Sequence, residues 1–164
     1  MPGYVRKAKP TDAIHLSKIM RQEDIDEIMI SHGVKPIVGL LSSFELKNSK
    51  VYTMIGTNNE CIGMFGVSDC PFVKGYGVVW MLSSDELLTD ARQFIKECRQ
   101  WVNKLNEQYE IIYNWVHPEN WKTLKWLQFC GFEPKAKRKY GINNEEFLLV
   151  MRQKNVWSSI DGSS

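Results

Sequence analysis

The sequence predicts one domain of mixed α/β (α+β) class, in which a single, mostly antiparallel central sheet carries helices on both faces. Two observations support this fold class. The 164 residues are 43% hydrophobic and 24% charged, which is typical of a globular chain with one core. Helix-like and strand-like hydrophobic periods also alternate along the chain, and no repeat, low-complexity segment or linker separates them.

The first third of the sequence predicts one strand followed by broken helices. The strand covers Tyr4–Ala8, and Thr11 or Asp12 caps the first helix after the turn at Pro10. Two further helices are bounded by turn formers. They are Asp24–His32, which stops at Gly33, and a segment that runs from Pro36 towards Leu46.

The middle of the sequence predicts three strands and a long helix. Val51–Ile55 and Cys61–Val67 form an antiparallel pair around a hairpin-type turn. Gly75–Leu82 is almost continuously apolar, as expected of a central strand that is covered on both faces. Ser83 to Glu86 matches a capping box, in which Ser83 satisfies the amide of Glu86 and Glu86 reaches back to the amide of Ser83. An apolar stripe continues this helix to Leu105.

The last third predicts a strand, a helix and a hairpin. These are Ile111–Val116, Pro118–Cys130 with a stop at Gly131, and the strands Phe132–Tyr140 and Glu146–Met151. The predicted domain covers residues 1–155. Residues 156–164 are expected to form a flexible polar tail.

Composition argues against several classes of function. The formal charge of +2 gives no basic excess that would indicate nucleic-acid binding. No apolar stretch approaches the ~18 residues of a membrane span, so we expect a soluble, cytoplasmic protein that binds no membrane. The four cysteines stand far apart without a nearby His, which predicts no metal site and four buried apolar thiols. They are Cys61, Cys70, Cys98 and Cys130.

The element order and the residues around the last helix resemble the GNAT (Gcn5-related N-acetyltransferase) fold. In that family an Asn opens this helix, and the pattern N-x-x-A-x-x-x-Y-x-x-x-G-F runs into the next strand. Asn120, Gly131 and Phe132 match the pattern. The resemblance covers about Tyr4 to Arg152. It implies an acyl-CoA N-acyltransferase fold, with acetyl-CoA as the candidate cofactor.

Two departures from the family pattern affect the acetyl-CoA site. Active members carry a Q/R-x-x-G-x-G/A loop after the central strand, where backbone amides at a helix start hold the pyrophosphate. Here Ser83 to Leu88 contains no glycine and has two carboxylates, which repel phosphate. Many members also place a Tyr seven residues after the Asn to protonate the departing thiolate, whereas this chain has Leu127. The sequence therefore predicts a degenerate acetyl-CoA site.

Within the superfamily, the chain is most similar to the small GNAT-like virion-assembly proteins of T7-like tailed phages. That group shares the missing glycine loop, the Leu at the tyrosine position, and an aromatic strand that ends in an Asn-led helix, here Tyr113 to Asn120. The resemblance implies a role in virion morphogenesis in the host cytoplasm. It also implies contacts with a virion or host protein.

The alternative is an active enzyme that transfers the acetyl group of acetyl-CoA to a primary amine. Its catalytic candidates are His117 and Glu119, which follow a strand and would accept the amine proton. A His-Pro turn that only starts a helix explains His117 more simply, because the sequence identifies no partner for this His. The candidate cofactor-binding residues are four strand residues whose backbone would hold pantetheine, two serines whose amides would hold the phosphates, and the Asn that opens the last helix. They are Val79, Trp80, Met81, Leu82, Ser83, Ser84 and Asn120.

Each of three further sequence features allows two interpretations. Four carboxylates within Glu23–Glu27 form either an acidic rim for an amine or a helix start favoured by the macrodipole. The basic run Lys135–Lys139 either contacts CoA phosphates or an acidic partner, or blunts a strand edge. Trp121 and Trp126 on one short helix belong either to the core or to an aromatic surface for a protein interface.

Overall fold

The computed structural model describes residues 3–89, 92–142 and 144–154. Strands and helices alternate along it much as the sequence predicts. The elements are β1 (Tyr4–Lys7), α1 (Pro10–Ile19), α2 (Gln22–His32), α3 (Pro36–Ser43), β2 (Lys50–Ile55), β3 (Cys61–Asp69), β4 (Tyr76–Ser83), α4 (Glu86–Thr89), α5 (Arg92–Asn106), β5 (Ile111–Val116), α6 (Trp121–Phe129), β6 (Glu133–Tyr140) and β7 (Glu145–Gln153). The predicted tail, residues 156–164, lies outside the described residues.

The strands form one seven-stranded sheet in the order β1-β2-β3-β4-β5-β7-β6. Neighbouring strands are antiparallel except β4 and β5, which run parallel. The apolar run predicted as the central strand is β4, the fourth strand of the seven. The predicted class, a mixed fold with a mostly antiparallel sheet, is confirmed.

Helices cover both faces of the sheet. Val79 and Met81 of β4 pack in a core cluster with residues of α5 and α6. Trp80 and Leu82 pack in a second cluster with residues of α1, α2 and α3. Because successive strand residues point to opposite faces, the two clusters lie on opposite sides of the sheet.

The N-cap of helix α1 lies two or three residues before the predicted caps. Its N-cap is Lys9 and Pro10 is its first residue, a position that suits the fixed φ of proline. Asp12 is the third helical residue, and its carboxylate accepts the Lys9 amide at 2.8 Å. The prediction that Thr11 or Asp12 is the cap was wrong, because Asp12 bonds back to the amide of the cap residue from inside the helix.

The predicted capping box at the start of the long helix was also wrong. Ser83 is the last residue of β4 and pairs with Gly63 of β3, while Ser84 forms an isolated bridge with Met20. The first helical residue is therefore Glu86. The Ser83 amide, which the capping box assigns to the Glu86 side chain, donates instead to Asp24, so the box does not form as predicted.

The C-terminal end of α2 lies against the turn between β6 and β7. Gly33 ends the helix as predicted, with a φ of 67° in the left-handed region. Gly141 in the hairpin turn has a φ of 80°, and a Cβ there would lie 2.7 Å from the Cα of Ser31. The Ile142 amide donates to the Ser31 carbonyl at 3.1 Å. Glycine at residue 141 thus allows the hairpin to contact α2.

Three of the four cysteines are buried as predicted, and one is not. Cys61, Cys98 and Cys130 are buried, and the Sγ atoms of Cys98 and Cys130 are 3.8 Å apart. Cys70 is partly exposed, and its Sγ accepts the Tyr113 hydroxyl at 3.1 Å. It follows β3 in a surface loop, where less of the chain covers it. None of the helices in the described ranges has the length and apolar character needed to cross a bilayer.

Candidate functional site

The candidate site is the gap between the two parallel strands. Their pairing covers Tyr76–Val78 and Ile111–Tyr113 and extends no further in the described chain. Beyond this point a cleft of about 70 Å³ opens, against roughly 300–1,000 Å³ for a typical ligand pocket. Its lining is mostly apolar, with large side chains from α5 and α6. Lining residues include Val79, Trp80, Met81, Trp101, Asn114, Val116, Trp126 and Leu127.

The predicted cofactor-binding residues of β4 divide into two groups. Val79, Trp80 and Met81 line the cleft. Leu82 packs with the α1–α3 cluster on the other face, and Ser83 and Ser84 are buried. Only the residues nearer the middle of β4 therefore lie at the gap.

Both serine amides at the end of β4 have partners inside the protein. The Ser83 amide donates to Oδ2 of Asp24 at 2.9 Å, and the Ser84 amide donates to the carbonyl of Ile62 at 2.9 Å. The predicted capping box assigned the first of these donors to Glu86. Because both amides are satisfied and both residues are buried, neither amide is available to a pyrophosphate.

A buried ion pair fixes the start of α2 to the end of β4. Arg21 donates to both carboxylate oxygens of Asp24, at 3.3 and 2.9 Å, and the Arg21 amide donates to the Ser83 carbonyl at 2.8 Å. The two side chains are 6% and 4% exposed. Burial raises the pKa of Asp24, although Arg21 and the Ser83 amide favour its charged form.

Glu27, one helical turn further along α2, lines the cleft and contacts the turn after β5. Its Oε1 accepts the His117 amide at 2.8 Å, and its Oε2 accepts Nδ2 of Asn120 at 2.8 Å. Burial raises the pKa of Glu27 against these two hydrogen bonds. Oδ1 of Asn120 is buried with no hydrogen-bond partner in the described part of the chain.

The two predicted catalytic residues do not meet at the cleft. Nδ1 of His117 accepts the Glu119 amide at 3.2 Å, and its Nε2 lies 3.7 Å from Oε1 of Glu145. The His117 ring packs edge-on against Phe147 of β7. The Glu119 side chain is exposed. His117 and Asn120 are brought together, because the Asn120 amide donates to the His117 carbonyl at 3.0 Å and Glu27 accepts from both residues.

Sequence reasoning missed the separate roles of Asp24 and Glu27, because it treated the acidic cluster as one feature. In the structure Glu23 and Asp26 are exposed, whereas Asp24 and Glu27 face inward. The signal was the spacing, since residues three and four apart share one helix face. Ser31, four residues after Glu27, continues the same inward stripe.

Comparison with solved structures decides the fold. The structure of AAC(6')-Ib in complex with paromomycin and acetyl-CoA superposes with a TM-score of 0.67 at 14% identity, over 96% of this chain and 97% of that chain. The chain has the GNAT fold. The fold that the resemblance implies is therefore confirmed.

Two other acetyltransferases share the GNAT fold with this chain. The ribosomal-protein-S5-alanine acetyltransferase from Vibrio fischeri gives a TM-score of 0.66 at 18% identity, over 96% of each chain. A variant of the spermidine N-acetyltransferase SpeG from Vibrio cholerae gives 0.64 at 10% identity, over 99% of this chain and 98% of that chain. The sequence matches no protein-family model and no curated protein. At these identities the likeness shows the fold alone.

Replacing Glu27 tests its place in this GNAT-fold site. Glu27→Ala is expected to lower the free energy of unfolding by about 1–3 kcal/mol, because the His117 amide and Asn120 lose their acceptor. Glu27→Gln keeps one acceptor and is expected to cost less. Urea denaturation measures both variants, with Asp26→Asn on the exposed face of α2 as the control. Equal stability of Glu27→Ala and the parent would contradict the geometry.

The pH dependence of Glu27→Gln has a defined sign. Because burial raises the pKa of Glu27 above its ordinary value of 4.5, the folded chain keeps a proton that the unfolded chain releases as the pH rises past this value. Stability from Glu27 therefore falls as the pH rises from the ordinary pKa through the raised one. We expect Glu27→Gln to gain stability relative to the parent over this interval. A constant difference between the two proteins from pH 4 to pH 8 would contradict this.

Proposed function

We propose that this chain is a GNAT-fold protein of the phage type that acts through protein contacts in virion morphogenesis and has no working acetyl-CoA site. The observation that carries the proposal is the occupancy of the Ser83 and Ser84 amides by Asp24 and Ile62. The sequence offers these two residues as the phosphate-binding serines, and an amide that is already bonded cannot donate to a phosphate. The virion role rests on the resemblance of the sequence alone.

Two features of the cleft support the loss of cofactor binding. Its volume of about 70 Å³ is far below that of a typical ligand pocket, and Trp101 and Trp126 are among its lining residues. Leu127 also lines it, at the position where many GNAT enzymes carry the proton-donating Tyr. Leucine has no proton to give. The residues present therefore do not fit acetyl-CoA in the manner usual for the family.

Thermal unfolding in the presence of acetyl-CoA tests the proposal. A ligand at about 100 times its Kd stabilises the folded state by about 2.7 kcal/mol, which raises Tm by about 5–10 °C for a chain of this size. We expect no change in Tm with acetyl-CoA or CoA at about 1 mM. AAC(6')-Ib, solved with acetyl-CoA and with CoA, serves as the positive control. A saturable rise in the Tm of this chain would contradict the proposal.

The second candidate function is an active N-acetyltransferase acting on a primary amine, and one observation favours it. Glu27 places a carboxylate with a raised pKa in the cleft wall, where a proton acceptor for an amine is needed. In that case Glu27, rather than His117 or Glu119, would accept the proton, because Glu27 lines the cleft, whereas the His117 ring packs against Phe147 and Glu119 is exposed. Acetylation of primary amines that is lost in Glu27→Gln and kept in Asp26→Asn would favour the enzyme.

A further inference from the structure

Helix α6 carries aromatic rings on an exposed face. Trp121 opens the helix and is 60% exposed, and Phe129 closes it and is 42% exposed. Lys125 lies midway between them, four residues from each, so all three share one side of the helix. We call Trp121, Lys122, Lys125 and Phe129, with Arg99 of α5, the α6 face.

Positive charge surrounds both rings of the α6 face. Nζ of Lys122 and Nζ of Lys125 lie 5.8 and 5.9 Å from the Trp121 ring centroid. The Arg99 guanidinium lies 4.3 Å over the Phe129 ring, and its Nε donates to the Phe129 carbonyl. The nine residues of α6 include no Asp or Glu. A chain with a net charge of only +2 thus places three cations around two exposed aromatic rings.

We propose that the α6 face binds an acidic segment of a partner protein. Its carboxylates would pair with Lys122, Lys125 and Arg99, and its apolar side chains would pack on the exposed rings. Trp and Arg are the residue types that most often dominate binding energy at protein interfaces. Complementary charge around such an anchor supplies orientation and a faster association rate. The inference names the partner chemistry and rests on the proposed function, in which the chain acts through protein contacts.

Other parts of the chain supply matched controls. Phe72 is 90% exposed in the loop after β3, away from α6 in sequence. Lys135 and Lys137 are exposed on β6, the edge strand of the sheet. They match the aromatic and the two lysines of the α6 face in type but belong to other elements. Loss of binding confined to the α6 variants would therefore report on that face.

The test uses a fluorescent helical peptide of about 16 residues composed of Glu, Leu and Ala, and a second peptide with Gln in place of Glu. Fluorescence anisotropy gives the Kd of each for the full chain. We expect saturable binding of the Glu peptide, about tenfold weaker binding of the Gln peptide, and weaker binding in about 200 mM than in about 50 mM salt. Trp121→Ala and the pair Lys122→Glu with Lys125→Glu should each weaken binding about tenfold or more. Phe72→Ala and the pair Lys135→Glu with Lys137→Glu should bind like the parent.

Several results would overturn the inference. They are absence of saturable binding by the Glu peptide, equal affinity for the two peptides, or equal losses in the α6 variants and the controls. Tighter binding of single-stranded DNA that needs Trp121 would assign the face to nucleic acid instead. Self-association of the chain that Lys122→Glu with Lys125→Glu abolishes would assign it to a second copy. Circular dichroism melts of all variants confirm that the folded protein is compared.

The peptide titration and the acetyl-CoA titration fail independently. Stabilisation by acetyl-CoA would refute the proposed function and leave the measured peptide affinities unchanged. Failure of peptide binding, with no effect of acetyl-CoA, would refute the proposal that the α6 face binds an acidic segment. The proposed function would then require protein contacts at another surface.

Discussion

Replacing Asp24 with alanine is expected to lower the free energy of unfolding by about 3–5 kcal/mol. The substitution leaves the buried Arg21 guanidinium with only its longer ion pair to the exposed Glu23, at 3.6 Å, and leaves the Ser83 amide without its acceptor. An unpaired buried charge is among the most destabilising defects that a single substitution creates. Since each kcal/mol is worth about 2–4 °C in a chain of this size, Tm should fall by at least about 6 °C.

Two further variants make the Asp24 experiment decisive. Asp24→Asn retains an acceptor for the Ser83 amide but removes the charge that faces Arg21, so it should be destabilised less than Asp24→Ala. Asp26→Ala, two residues along on the exposed face of α2, should change stability by less than about 0.5 kcal/mol. If Asp24→Ala proved no worse than Asp26→Ala, the contact between α2 and β4 would not hold the fold together. Should Asp24→Ala fail to fold at all, Asp24→Asn still gives a measurable loss.

Replacing Asn106 with alanine is expected to cost about 3 kcal/mol, because it disturbs a second buried cation. Arg152 is fully buried and donates to Oδ1 of Asn106 at 2.7 Å, to the Cys130 carbonyl at 2.8 Å and to the Asn103 side chain. Burial lowers the pKa of Arg152 to about 10, because the charged guanidinium loses contact with water. Asn106 also donates to the Tyr109 carbonyl at 2.9 Å. The variant therefore removes a hydrogen-bond partner from two groups, the Arg152 guanidinium and the Tyr109 carbonyl.

Urea denaturation with Gln100→Ala as the control checks the Asn106 prediction. Gln100 is exposed on the same helix, and alanine there should be neutral or slightly stabilising. A loss below about 1 kcal/mol in Asn106→Ala would mean that water or another group replaces the amide at Arg152. The m-value should stay at that of the parent, since the variant changes the packing and not the extent of the folded chain.

Most of the fold could be predicted from local patterns in the sequence. The apolar run around Val79 marked the central strand, and Gly33 marked the end of α2, because both depend on neighbouring residues only. The capping box failed because Ser83 pairs with Gly63 of β3 and Ser84 donates to Ile62, contacts twenty or more residues distant in sequence. A local motif cannot report which long-range partner its backbone groups will find.

The candidate site was predicted less well than the fold for the same reason. Helical spacing could have separated Asp24 and Glu27 from the exposed acids beside them. Their partners, however, lie 59 and 90 residues away, at Ser83 and His117. Those contacts depend on how α2 crosses the sheet, which no pattern within the helix specifies. Of the two tryptophans that were open to either interpretation, Trp121 is exposed, whereas Trp126 lines the cleft and packs against the core.

Helix α2 is attached at three points, and together they set the width of the gap between β4 and β5. Asp24 ties it to the end of β4, Glu27 ties it to the turn after β5, and Ser31 ties it to the hairpin of β6 and β7. The two halves of the sheet share only three parallel residue pairs, so this helix is a second link between them. Moving the strands further apart would break either the bonds that join Ser83 to the start of α2 or the bonds that join Glu27 to His117 and Asn120. These three contacts therefore join α2 to both halves of the sheet and oppose their separation.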